Sequence, residues 1–584
     1  MCGIAGYIGK QQAAPIILDG LSKLEYRGYD SAGIAVFDGQ KIHMEKAVGR
    51  LRVLDEKINH GTLLPGFCGI GHTRWATHGC PSDTNAHPHM NEEHTIAVVH
   101  NGIIENYEKL KQRLEKKGYR FVSETDTEVL AHMLTEYYRG DPVEAIEKVM
   151  HRVEGSYALG IMFLDHPHHI YAARKDSPLI VGINDTGKFI ASDVPAILQY
   201  TRTVYYVENE EIVCLSNEHT RFCNIDGEPL EKQPVTIDWD IHAAEKGGYE
   251  HFMLKEIHEQ PKAVRDTISP RIHENEIDLG EIGMTDEEIK NLRKISIVAC
   301  GSAYHTGAAG KYVIEELARI PVETDLASEF RYRNPIYQEN FLVIIVSQSG
   351  ETADSLAALR DAKAHGCKVL SIVNVVGSSI ARESDAVLYT WAGPEISVAT
   401  TKAYSCQLAV FYLLALKFAQ IRSAITPDTF QTLLTALKQL PDQIEGLLSQ
   451  KEKIQFFANH YLATEHIFFM GRGIDYAISM EGSLKLKEIS YIHSEAYAAG
   501  ELKHGTISLM EEGTLVVALA TQDALYPKTV SNMIEVKTRG AFVMALSTKK
   551  HPDIEKYADY VLYIPEPQTL FAGSLDIIQL QLFY

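Results

Sequence analysis

Cys2 is the first residue whose type and position suggest chemistry. It directly follows the initiator Met and precedes Gly3. With Met1 removed, Cys2 carries a thiol and a free α-amine of pKa ~7.7–8, so one residue supplies both nucleophile and base. A cysteine at position 2 says little alone, but its surroundings give it meaning. His100-Asn101-Gly102 closes the apolar run Thr95-Ile96-Ala97-Val98-Val99, and an Asn amide beside a Gly N–H can form an oxyanion hole. The segment from Gly71 to Gly79 places Arg74 and two hydroxyls beside Trp75, a set suited to an amino-acid carboxylate. Ser123 to Glu128 supplies carboxylates suited to an α-ammonium. Together they describe a pocket for a zwitterionic amino acid, with a thiol at its side-chain amide.

A second constellation lies far downstream. Ser347-Gln348-Ser349-Gly350-Glu351-Thr352 follows the apolar run Phe341–Val346 and opens a helical stretch, Ala353 to His365. Hydroxyls, an amide and helix-start N–H groups bind phosphate without a net cation. The chain needs such a device, because 56 Lys+Arg against 77 Asp+Glu leave a charge of −21. That balance excludes a general affinity for nucleic acid or anionic lipid. His504 suits acid/base work near neutrality, and Lys485 and Glu488 share a helix face. Gly307-Ala308-Ala309-Gly310-Lys311 is too short for a nucleotide P-loop, and Gly471-Arg472-Gly473 too brief for a dinucleotide fingerprint. No His or carboxylate spacing calls for a metal.

These residues need elements to hold them. The chain has 584 residues, 45% hydrophobic and 23% charged, the mix of an ordered globular protein. Its eight cysteines include no CxxC pair, which points to reduced thiols in a cytoplasmic protein. The N-terminus lacks a signal-peptide pattern. The most apolar run, Leu408 to Leu416, stops at Lys417, short of the ~20 residues a membrane span needs. Residues 1–240 read as short strands and turns with a few helices, and 241–290 as a linker and helical lead-in. Residues 291–430 and 455–584 each read as strand–turn–helix repeats, a duplicated doubly wound parallel sheet.

At this point the motifs carry a resemblance. Cys2-Gly3-Ile4, Tyr26 to Gly33, His72 to Gly79, Asn85-Ala86-His87-Pro88-His89, His100-Asn101-Gly102 and Thr125-Asp126-Thr127 resemble the class II glutamine amidotransferases. The resemblance implies an N-terminal-nucleophile (Ntn) hydrolase αββα sandwich, within an α/β and α+β protein overall. It implies that Cys2 attacks the glutamine amide and that Asn101 and Gly102 stabilise the oxyanion. It further implies that Arg74, Thr77, His78 and Asp126 hold glutamine, that Arg27 positions the N-terminus, and that Trp75 gates ammonia.

The later segments Cys300-Gly301-Ser302, Ser347 to Thr352, Ala399-Thr400-Thr401-Lys402 and Gly471-Arg472-Gly473 resemble sugar-isomerase (SIS) domains, twice over. Glu481 to Ser490 and Glu495 to Gly505 are more specific still. With the amidotransferase part in front, the chain is similar to the glutamine–fructose-6-phosphate aminotransferase family. This implies that Ser302, Ser347, Gln348, Ser349, Thr352, Ala399 and Thr400 bind the sugar phosphate. It implies that Glu488 moves the C1/C2 proton, that Lys485 assists at the sugar oxygen, and that His504 opens the ring from the neighbouring subunit of a homodimer. No cofactor is implied. Two departures follow. Ala303 stands where the family has a second phosphate-binding hydroxyl, at a cost of ~1 kcal/mol. The family's C-terminal tail, whose Lys forms a Schiff base, is expected to be missing after Tyr584, which would impair the synthase step and spare glutamine hydrolysis.

Overall fold

Gly3-Ile4-Ala5-Gly6-Tyr7-Ile8-Gly9 is apolar or small at every position, so it forms a fully buried strand, Gly3–Gly9. It pairs antiparallel with Cys68–Arg74 on one side and Gly187–Ala191 on the other. A computed structural model describes residues 2–25, 28–237, 246–566 and 568–584. The chain divides into two compact units, Met1–Glu245 and Lys246–Tyr584.

In the first unit an eight-stranded antiparallel sheet faces a seven-stranded one. Ile4, Ile8 and Ile70 of the first sheet meet Ala97, Val99 and Ala158 of the second in a shared core. The other face of the second sheet packs Val98, Leu159 and Ile161 onto Leu130, Met133 and Ile146 of helices Glu128–Tyr137 and Pro142–Met150. Helix Ala13–Ser22 covers the first sheet's outer face, with Ile17 lying directly over Gly71. The four layers are the αββα sandwich expected from the sequence.

One local expectation is corrected. The strand expected to end at Asn101-Gly102 runs on as Ile96–Ile104. Asn-Gly favours a turn, but here both residues stay in register with Gly155–Phe163, Asn101 opposite Ala158 and Gly102 opposite Tyr157. Gly102 sits at φ +129°, where an added Cβ would lie 2.0 Å from the Ser156 carbonyl oxygen. The missing side chain is what lets the ladder pass this point.

The second unit holds two five-stranded parallel sheets. The first runs Val322–Leu326, Lys294–Ala299, Phe341–Ser347, Lys368–Val373, Ala386–Tyr389 in spatial order. The second runs His493–Ala498, His466–Gly471, Leu515–Ala520, Phe542–Thr548, Tyr560–Ile564. Both have the doubly wound order 2-1-3-4-5. Gly301 (φ 58°, ψ −132°) and Gly473 (φ 59°, ψ −130°) precede helices Ser302–Ala318 and Ile474–Ser490, each of 17 residues. The two sheets are thus repeats of one plan.

The two repeats share one core, in which Ile297, Ile344, Phe469 and Val517 of the sheets join Phe411 and Leu413 of helix Lys402–Ile421. That helix has 20 residues, a mean hydropathy of 1.3, and 83% of its apolar window buried. It is longer than the apolar run read from the sequence, and by length and composition alone it could cross a membrane. Burial inside the unit accounts for its apolarity. Helix Phe252–Ile268 packs against it, so the helical lead-in belongs to the same body.

Gly310 lies where helix Ser302–Ala318 meets Phe411, with an added Cβ only 2.6 Å from the Phe411 ring. Overpacking of this kind costs ~1–3 kcal/mol. Gly310→Ala is expected to lower the unfolding temperature of the second, parallel-sheet unit in calorimetry, with little change in the melting of the first unit.

Candidate active sites

Strand Cys68–Arg74 lies next to Gly3–Gly9, so the residues after Arg74 fall beside Cys2. The Trp75 N–H donates to Cys2 Sγ at 3.3 Å. Asn101 Nδ2 donates to the Cys2 carbonyl oxygen at 2.9 Å. Burial raises the Cys2 thiol above its usual pKa, and the Trp75 N–H opposes that rise. The sandwich therefore places Cys2, just before strand Gly3–Gly9, against Asn101 within strand Ile96–Ile104, with Gly102 next along that strand.

Arg74 is buried and donates through Nη2 to the carbonyls of His78 and Gly79, the latter at 3.0 Å. Its Nη1 is buried and has no hydrogen-bond partner among the described residues. His78 Nδ1 lies 3.2 Å from Thr77 Oγ1, and Thr77 is exposed. Asp126 is buried and accepts from the Ile104 N–H at 2.8 Å, which ties it to the strand carrying Asn101. Trp75 is 43% exposed and meets Tyr29 edge-on at 5.3 Å. Arg27 lies outside the described residues.

Several residues here were not singled out from the sequence. The Asp30 carboxylate accepts from the Ala76 N–H and from Ser31 Oγ. His72, His87, His89 and His100 form a buried group: His72 stacks on His87 at 4.2 Å, and His87 meets His89 edge-on at 4.9 Å. Burial pushes His72 down to about 3 and lowers the other three as well. Six histidines between positions 72 and 100, four of them in this group, are the sequence signal that would have found it.

In the second unit the loop after Phe341–Ser347 sits at the switch point of the first sheet, where chain order reverses between neighbouring strands. Ser347 Oγ lies 3.1 Å from Thr352 Oγ1 and accepts from the Gly350 N–H at 3.0 Å. Ser349 Oγ accepts from the Glu351 N–H at 3.2 Å. Across the switch point Ser302 is buried and its Oγ has no partner among the described residues. Gln348 adds only its carbonyl, which accepts from the Asn374 N–H at 3.2 Å.

Thr400 donates to Glu395, which also accepts from the N–H groups of Thr401 at 2.9 Å and Ala403 at 3.1 Å. Glu395 thereby fixes the turn carrying Ala399 and Thr400. Glu256 accepts from the Ile396 N–H at 2.5 Å. Burial first, and then Glu395, push the Glu256 carboxyl up to about 8. Neither glutamate was expected.

Lys485 is buried and donates to Glu488, one turn further along Ile474–Ser490. On the same helix Glu481 is buried against His305 of Ser302–Ala318, Oε2 to Nδ1 2.8 Å. His504 is exposed, and no contact joins it to Glu488 or Lys485 among the described residues. Helix Gly573–Phe583 lies in the core, and Tyr584 is half-buried, its hydroxyl enclosed near Glu481, Tyr404 and Glu488.

A glutamine amidotransferase domain model matches residues 72–199, and a SIS domain model matches 288–417 and 461–584. A glutamine–fructose-6-phosphate aminotransferase (isomerizing) from Caldanaerobacter subterraneus subsp. tengcongensis is 56% identical over 583 residues, covering 100% of this chain and 96% of its own length. The chain belongs to this aminotransferase family. A member from Methanosarcina acetivorans is 49% identical over 595 residues, with the same coverage of 100% and 96%. The solved C-terminal domain of glucosamine-fructose-6-phosphate aminotransferase from Francisella tularensis is 38% identical with a TM-score of 0.55, covering 58% of this chain and 96% of that one.

The loop leading to Asp126 depends on one carboxylate. Glu128 accepts from the N–H groups of Val122 at 2.9 Å and Ser123 at 2.7 Å, and from Ser123 Oγ at 2.6 Å. Burial opposes its charge, but these bonds and His132 hold it down to about 2, against an ordinary value of 4.5. A depressed carboxyl adds stability above its unfolded pKa and loses it as pH falls through the folded one. The wild-type advantage over Glu128→Gln is expected to be full near neutrality and to shrink as pH falls from about 4.5 towards 2, read from unfolding midpoints of both proteins across that range.

Proposed function

We propose that the chain transfers the amide nitrogen of glutamine to fructose 6-phosphate with isomerisation, giving glutamate and glucosamine 6-phosphate. The observation that carries this reading is Cys2 held between the Trp75 N–H and the Asn101 amide, in a chain matching the aminotransferases along its whole length. With Met1 removed, the Cys2 α-amine takes the thiol proton and the thiolate attacks the glutamine side-chain carbonyl. Asn101 Nδ2 and the Gly102 N–H receive the oxyanion. The Cys2 α-ammonium returns that proton to the amide nitrogen, ammonia leaves as the intermediate collapses to a thioester, and water hydrolyses the thioester to glutamate and the free thiol. The unpartnered Arg74 Nη1 takes the glutamine α-carboxylate, Asp126 takes its ammonium, and Thr77 and His78 close the pocket. Arg27 positions the N-terminus and Trp75 gates ammonia.

In the second unit, hydroxyls and helix-start N–H groups of Ser347, Gln348, Ser349 and Thr352, with Ser302 opposite, hold the phosphate. Ala399 and Thr400 line the sugar side. Glu488 moves the proton between C1 and C2, and Lys485, paired with it, assists at the sugar oxygen. The exposed His504 opens the ring in the site of a second copy, which makes the active form a homodimer. We assign 1–240 to glutamine hydrolysis, 241–290 to the lead-in, and 291–430 and 455–584 to the two SIS domains. A cytoplasmic location fits cysteines none of which forms a disulfide, and a charge of −21 argues against nucleic-acid or membrane partners.

Measuring glutamate and glucosamine 6-phosphate separately tests both halves. Cys2→Ala is expected to abolish glutamate release while leaving amino-sugar formation from ammonium salts. Undiminished glutamate release by that variant overturns the assignment. Ser347→Ala is expected to raise KM for fructose 6-phosphate about tenfold, the loss of roughly one hydrogen bond to a charged group.

A further inference from the structure

The Asn101 side chain has two ends, and only its Nδ2 end can donate to an oxyanion. Which end faces Cys2 is decided elsewhere in the protein. His72, on strand Cys68–Arg74, approaches two acceptors with one ring nitrogen: Nε2 lies 2.9 Å from the His100 carbonyl oxygen and 3.0 Å from Asn101 Oδ1. A carbonyl and an amide oxygen can only accept, so Nε2 carries the proton. That N–H holds Oδ1 away from the site and turns Nδ2 towards Cys2, where it donates to the Cys2 carbonyl at 2.9 Å.

The tautomer is supported from the other side. His72 Nδ1 is buried with no partner among the described residues, and the ring face lies on His87 at 4.2 Å. The acid pKa of about 3 keeps the imidazole neutral at working pH, so the contact is a plain N–H donor and not an ion. Arg74 is a strand neighbour two residues on, and a second cation beside it would be costly in this buried place.

Resting on the glutaminase reading above, we propose that His72 is a positioning residue for glutamine hydrolysis: its Nε2–H fixes the amide of Asn101 so that the oxyanion donor points at the reacting carbonyl. His72 touches neither glutamine nor the thiol and acts through Asn101.

Two substitutions separate this role from packing. His72→Phe keeps a ring on His87 and loses the donor. His72→Gln loses the ring and keeps an N–H at similar reach. Glutamate release would be measured at varied glutamine, with active sites counted by iodoacetamide alkylation of Cys2, which needs no oxyanion hole. His72→Phe is expected to lose about 10- to 100-fold in kcat with KM within about threefold, somewhat less than the ~10²–10³ of deleting an oxyanion donor outright. His72→Gln is expected to recover most of that loss. The reverse order, an equal loss in both, or a His72→Phe variant with wild-type kcat overturns the proposal. If the wild type itself releases no glutamate although Cys2 alkylates, the glutaminase reading fails instead.

Discussion

A polar group taken out of water must be hydrogen-bonded or uncharged, and the chemistry of both units is arranged around that demand. In the first unit Arg74 is buried with two carbonyls on one nitrogen and, among the described residues, nothing on another, so the unmet need is for an anion. The four imidazoles behind it are kept neutral by burial, which leaves the cation uncontested. In the second unit hydroxyls and N–H groups are gathered at a helix start, the place proposed for the sugar phosphate, with Ser302 Oγ unpartnered opposite them among the described residues. On the proposed assignments, a chain with a net charge of −21 meets one anion with a buried guanidinium and the other with hydroxyls and N–H groups at a helix start.

The same demand accounts for the carboxylates. Glu395 and Glu256 accept backbone N–H groups and so shape the turn carrying Thr400. In the second repeat Asp475 accepts from the Thr521 N–H at 2.9 Å and from Gln522 Nε2 at 3.1 Å, in the loop after the third strand. Asp475 follows Gly473 by two residues, as Ala303 follows Gly301. One repeat therefore satisfies donors of its loop with Asp475, while the other bonds its loop hydroxyls to one another and to backbone N–H groups and leaves Ser302 Oγ unpartnered among the described residues.

The chemistry was more legible in the sequence than the geometry that supports it. Cys2, Arg74, Asn101 and the Ser347–Thr352 loop stand out because residue type and neighbours alone suggest a role. Most core strands of the parallel sheets were legible because they are apolar throughout. The edge strands Val322–Leu326 and His493–Ala498 were not, since Val-Glu-Thr-Asp-Leu and His-Ser-Glu-Ala-Tyr-Ala face solvent and carry no apolar run. Asn101-Gly102 read as a turn because local preference favours one; only the Gly155–Phe163 partner, far along the chain, keeps it extended. His72, Asp30 and Glu395 act through other residues, and a role of that kind leaves no pattern in sequence spacing.

The His305–Glu481 pair has a mechanical consequence. His305 lies one turn from Ser302 at the N-terminal end of its helix, and Glu481 lies two turns from Glu488 on the other. On the assignments proposed above, this pair joins the helix that grips one end of a six-carbon chain to the helix that carries the base for its other end. Sliding either helix by one turn would break the pair, so on that proposal the span between grip and base is held at one length.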